Sequence, residues 1–94
     1  MEPENAEIYH GLGATCIDAE RYSDSIPYYE KAISLDGKAQ YYEALAVALA
    51  YCQETERAKE VLKTVSAKGS TRVSEIRYFI ERIEAGNISE EDDE

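Results

Sequence analysis

Several residue types are scarce in this chain, and each scarcity removes a class of function. It has no tryptophan, one histidine, two cysteines and two prolines among 94 residues. One histidine and two isolated cysteines supply no set of ligands at metal-binding spacing. Cys16 and Cys52 sit inside helical patterns and are expected as buried thiols rather than as a disulfide or a zinc site. No apolar run approaches the roughly 20 residues needed to span a bilayer. No basic start followed by an apolar stretch resembles a signal peptide, so a cytoplasmic protein without membrane insertion is expected. Glycine-rich phosphate loops, nucleophile elbows and paired nucleophile–base signatures are missing too, so neither an enzyme nor a cofactor is expected.

Basic residues are also in short supply. Ten Lys and Arg face twenty Asp and Glu, a net charge of −10. Such a surface repels a phosphate backbone, which excludes nucleic acid as a partner and favours basic or neutral proteins. The charge is uneven: residues 1–56 carry a net −8, residues 57–87 a net +3, and residues 88–94 five acids with no base. With 44% hydrophobic and 32% charged residues, the composition is that of a folded globular domain. Its length allows one domain with a modest core, expected over residues 6–86. Ile88 to Glu94 reads as an acidic, disordered tail, with a calcium or magnesium cage as the weaker alternative.

What is present is helical periodicity. Tyr9, Leu12, Gly13 and Cys16 recur at spacings of three and four, predicting a helix from Ala6 to Ala19, with Pro3 and early acids at its start. Gly11 and Gly13 weaken that helix by about 1 kcal/mol each relative to Ala, which suggests the close approach of another helix. Pro27 belongs in the first turn of a second helix, placing its start near Ser23 or Asp24 and its end near Leu35. Ile26, Tyr29, Ala32 and Ile33 form the inward stripe there. A third helix over 38–53 faces Tyr42, Leu45, Ala46, Leu49 and Ala50 inward. Thr55 is a candidate N-cap for a fourth, to Lys68, which buries Ala58, Val61, Leu62 and Val65. The run Lys68-Gly69-Ser70-Thr71 stops that helix and starts a fifth, to Ala85, with Val73, Ile76, Ile80 and Ile83 inward and Phe79 beside them. No strand pattern survives, and short turns make neighbouring helices antiparallel: an all-α chain.

The chain repeats itself. Tyr9, Leu12, Gly13 and Cys16 match Tyr42, Leu45, Ala46 and Leu49, and Ser25, Tyr29 and Ala32 match Ala58, Leu62 and Val65, every pair 33 residues apart. Two helices per period of this length are the signature of a helical solenoid. Gly13 against Ala32, with Ser25 nearby, would let the helix axes approach while Tyr9 and Tyr29 fill the gaps.

At these residues the chain resembles the tetratricopeptide repeat family. The family's aromatic-x-x-Leu-Gly-x-x-Tyr pattern stands here as Tyr9, Leu12, Gly13 and Cys16, and its Ala-x-x-x-Phe as Ser25 and Tyr29. Tyr28 to Asp36 is similar to the family's second helix. The second repeat departs more, with Ala46 for Gly, Leu49 and Leu62 for aromatics, and Ser70 near the place of the closing Pro. The resemblance implies a short right-handed solenoid: repeats at about 6–38 and 39–70, then a capping helix at about 71–85.

It also implies a function. In this family the first helix of each repeat lines a concave groove for a peptide or helical segment of another protein. By register the groove residues are Glu7, His10, Ala14 and Ile17, then Gln40, Glu43, Val47 and Ala50, with Asp18 and Tyr51 at the rim. His10 is otherwise an exposed polar residue. Family members that grip a chaperone's terminal carboxylate present Lys, Arg and Asn at these positions. Here no cation stands among them, so a basic or apolar segment is expected. Adaptor or scaffold is the leading reading. Self-association as a homo-dimer or stacking on a larger partner, and a small chaperone masking one dedicated partner, are the alternatives.

Overall fold

A computed structural model describes residues 4–86. The expected roles of Pro3 and of the acidic segment 87–94 lie outside the described residues. Five α-helices follow one another: α1 Ala6–Asp18, α2 Tyr22–Leu35, α3 Ala39–Tyr51, α4 Thr55–Ala67 and α5 Val73–Glu84. No strand occurs among the described residues. Each helix packs on its neighbour in sequence, and α5 lies against both α3 and α4. The chain is an all-α stack of antiparallel helices, as the turn lengths predict.

Local chemistry sets the helix ends. Asn5, in extended backbone, accepts a 2.8 Å hydrogen bond from the Glu7 N–H and so caps α1. Glu20, Gln53 and Gly86, at successive intervals of 33 residues, take φ of 61°, 66° and 76° and close α1, α3 and α5 in the same way. The repeat is thus written in the backbone as well as in the side chains, and it extends to α5. Two expectations need correction. Pro27 is the sixth residue of α2, not part of its first turn, and it sits on the exposed side. Thr55 is the first residue of α4, and no side chain caps that helix.

The main core joins Ile26 and Tyr29 of α2 to Leu45, Ala46 and Leu49 of α3, Ala58, Leu62 and Val65 of α4, and Ile76, Ile80 and Ile83 of α5. A smaller cluster joins Ala6, Ala32 and Tyr41, with Tyr9 and Ile33 against it. Tyr42 is half-buried against the main core.

Leu12 is corrected: it is 42% exposed, whereas its counterpart Leu45 is buried. The reason is position in the stack, since α3 lies beneath the first helix pair and no described helix precedes α1. Cys16 and Cys52 are free and half-buried rather than buried. Gly13 does approach a neighbour closely, but that neighbour is Tyr29 rather than Ala32.

α5 follows the turn register yet packs with another face. Val73, Ile76, Ile80 and Ile83 stand 33 residues after Gln40, Glu43, Val47 and Ala50, the positions assigned to the groove. In α5 the last three of these are buried against α3 and α4. Its other side carries Ser74, Arg77, Tyr78 and Glu81, all exposed. A mostly polar outer face of this kind is typical of the terminal helix of a helical repeat.

Candidate functional site

The side chains proposed for a groove come from α1 and α3, and the structure divides them. Glu7 and Gln40 are exposed at the helix starts, and Ala14, Ile17, Val47 and Tyr51 are half-buried. Ala50 is fully buried and lines no surface, because α3 is enclosed by its neighbours at that level. His10 is not a free polar residue. Its ring lies 5.2 Å from that of Tyr41 and 5.6 Å from that of Tyr29, which ties α1 to both following helices.

Glu43 has two partners. It accepts a hydrogen bond from the Ser70 hydroxyl and lies 3.9 Å from an Arg72 guanidinium nitrogen. Its side chain is only 15% exposed. The same Ser70 Oγ accepts a 3.0 Å hydrogen bond from the Arg72 backbone N–H, so one hydroxyl ties the start of α5 to α3. A carboxylate held this way is largely spent on structure, which leaves it less able to attract a basic ligand.

Between α3 and α5 a cleft of about 230 Å³ opens, lined by Val47 and Tyr51 on one side and by Arg72, Glu75, Ile76 and Phe79 on the other. Aromatic rings form its upper edge. Tyr51 stacks on Tyr22 with ring centroids 4.3 Å apart and meets the edge of Phe79 at 5.0 Å. Burial pushes the Tyr22 phenol above its ordinary range, with Glu20 and Tyr51 adding to the rise. Stacked and edge-on rings present flat apolar surface with little side-chain freedom left to lose on binding.

None of the register positions is a cation, but one stands next to them. Arg72 stands beside Val47 and Tyr51, paired with Glu75 at 3.3 Å. Reading by register missed it because Arg72 precedes α5, beyond the two repeats. Tyr22 was missed because it opens α2 rather than lying on a first helix. Phe79 carried a signal, as the aromatic residue beside the inward stripe of the fifth helix. Among the described residues no cluster of three His, Cys, Asp or Glu side chains is placed to hold a metal ion. No described helix is long and apolar enough to cross a membrane.

No curated protein and no solved structure matches the chain. Residues 6–38, which hold α1 and α2, match the sequence model of the tetratricopeptide repeat. With that match on its first helix pair and stacked antiparallel helices following it, residues 6–38 form a tetratricopeptide repeat, a kind of repeat that generally mediates protein–protein interaction.

Proposed function

We propose that the protein is an adaptor whose concave side binds a short segment of another protein, apolar or basic rather than acidic. The observation that carries this reading is the α3–α5 cleft with half-buried Val47, Tyr51 and Phe79, which leaves apolar and aromatic surface open beside Arg72 and Glu75. The arrangement suits an amphipathic helix or extended peptide that inserts one or two apolar side chains. Glu7, exposed at the groove's start, and Glu75, exposed beside the cleft, favour basic flanks on such a segment. Arg72 and Glu43 offset one another and leave no net pull toward a terminal carboxylate. The free thiols of Cys16 and Cys52 suit a reducing compartment, in keeping with the cytoplasm.

Selection from a random-peptide display library tests the reading. Enriched peptides are expected to share apolar anchors without acidic runs and to lose affinity for the Val47→Glu variant. Enrichment of acidic peptides, or binding indifferent to that substitution, contradicts it.

One observation favours a second reading, stacking of copies. Ile8 is 60% exposed and Leu12 is 42% exposed, at positions whose counterparts Tyr41 and Leu45 are buried in α3. The complementary surface would be the outer side of α5 in a second copy. There Tyr78 is 62% exposed and carries the Arg82 guanidinium at 5.7 Å, against Glu4 and Glu7 at the α1 end. Light scattering against concentration separates the readings: growth abolished by Leu12→Glu supports stacking, and a constant monomer mass removes it.

A further inference from the structure

The chain holds eight tyrosines, and among the described residues only Tyr22 and Tyr51 stack ring on ring. Their centroids lie 4.3 Å apart and their planes differ by 5°. Aromatic pairs commonly meet edge-on as well as offset, as Tyr51 does with Phe79 at 66°. Parallel rings at this separation bring their carbons near the roughly 3.5–4.0 Å of van der Waals contact. The remaining tyrosines are placed differently. Tyr9 donates to Glu4, Tyr29 and Tyr41 are buried beside His10, and Tyr78 carries Arg82.

The position of the pair in the fold adds to its meaning. Tyr22 is the first residue of α2 and Tyr51 the last of α3. One ring therefore comes from each helix pair, and the two meet across the junction between them. Both residues are half-buried, so neither is sealed from a solvent-borne oxidant. At helix ends both side chains also have room to pivot.

We propose that Tyr22 and Tyr51 are a dityrosine site, joined ring to ring when a haem peroxidase supplied with hydrogen peroxide oxidises the protein. Each phenol gives one electron to the oxidant and its hydroxyl proton to water, leaving two phenoxyl radicals. The unpaired electrons, shared onto the ring carbons beside each oxygen, pair in a new Cε–Cε bond. The hydrogens on those two carbons then leave as protons, and each phenoxyl oxygen takes a proton back. Both phenols are thereby restored. The protein loses two protons and two electrons, and one hydrogen peroxide accepts them to become two waters. The bond ties the start of α2 to the end of α3, at the aromatic edge of the α3–α5 cleft.

Peroxidase and hydrogen peroxide added to dilute protein test this, with the monomer then digested and mapped by mass spectrometry. The expected product shows dityrosine fluorescence and a linked pair of peptides holding Tyr22 and Tyr51, lighter by two hydrogen atoms. Tyr22→Phe and Tyr51→Phe keep the stacked ring and remove one phenol, and each should abolish the linked peptides. Tyr78→Phe alters a tyrosine that is 62% exposed and should leave their yield unchanged. Absence of dityrosine from the folded monomer, linkage between other tyrosines within it, or dityrosine found only in cross-linked dimers overturns the proposal. So does a Tyr22–Tyr51 product formed equally well in urea, because the fold would then not be what brings the rings together.

Discussion

A Cβ built on Gly13 would lie 2.6 Å from Cε1 of Tyr29 and 2.8 Å from its Cζ. Gly13 therefore leaves the space that the Tyr29 ring occupies, and the closest packing of the first helix pair rests on this one missing side chain. Tyr29 is almost fully buried and ringed by core residues, so it has little room to yield.

The first prediction contrasts two glycines one turn apart or less. Gly13→Ala gains about 1 kcal/mol of helix propensity but incurs an overpacking cost of about 1–3 kcal/mol, so it should lower stability. Gly11 has nothing within 4 Å of its absent Cβ, and Gly11→Ala should raise stability by about 0.5–1 kcal/mol. In a domain of this size each kcal/mol moves the melting temperature by roughly 4–8 °C. Calorimetry that finds Gly13→Ala melting above the wild type removes the close-packing account.

Much of this fold was legible from residues alone, and the failures share a cause. The five helices, their order and the 33-residue register follow from periodicity, turn residues and small residues inside apolar stripes. Register arguments treat every repeat as equivalent, however, and stack position breaks the equivalence. Ile8 and Leu12 match Tyr41 and Leu45 in sequence spacing, yet only the latter pair has a helix layer above it. For the same reason fully buried Tyr41 escaped notice, since its α1 counterpart Ile8 lies open and Tyr42 took the repeat position. The register reading of surface positions extends only over α1 and α3. Arg72 and Ser70 reach Glu43 of α3 from the connection to α5, where no repeat position points.

Tyr41 yields the second prediction. Its hydroxyl is buried and has no hydrogen-bond partner among the described residues. An unmet buried hydroxyl costs about 1–3 kcal/mol, and replacing it by hydrogen removes that cost. Tyr41→Phe should therefore raise the urea midpoint with an unchanged slope. A fall of more than about 1 kcal/mol would mean that the hydroxyl has a partner.

The third concerns the anchoring of α5. Ser70 donates to Glu43 and accepts from the Arg72 N–H. Ser70→Ala removes both contacts and should cost about 1–2 kcal/mol, by analogy with a lost helix cap. The loss should be local. Hydrogen exchange is expected to quicken in α5 and at the Val47–Phe79 cleft more than in α1, and uniform quickening would contradict the anchor.

Alkaline pH gives the fourth. Burial, with smaller contributions from Cys16 and Asp18, pushes the Tyr29 phenol up to about 12. The fold thus favours the neutral phenol over its unfolded value near 10. That stability is complete below about pH 10 and is lost as pH rises toward about 12. Tyr29→Phe, though less stable at neutral pH, should lose less of its melting temperature across that interval than the wild type does. Equal losses would show that Tyr29 is not the group responsible.

The most direct test of the interaction reading is a calorimetric titration of selected apolar-anchored peptides into the wild type, Val47→Glu, Tyr51→Ala and Leu12→Glu proteins. Affinity should fall at least tenfold, about 1.4 kcal/mol, for the Val47 and Tyr51 variants and stay unchanged for Leu12→Glu. Loss with Leu12→Glu alone would place binding at the α1 end and contradict a partner-binding role for the α3–α5 cleft.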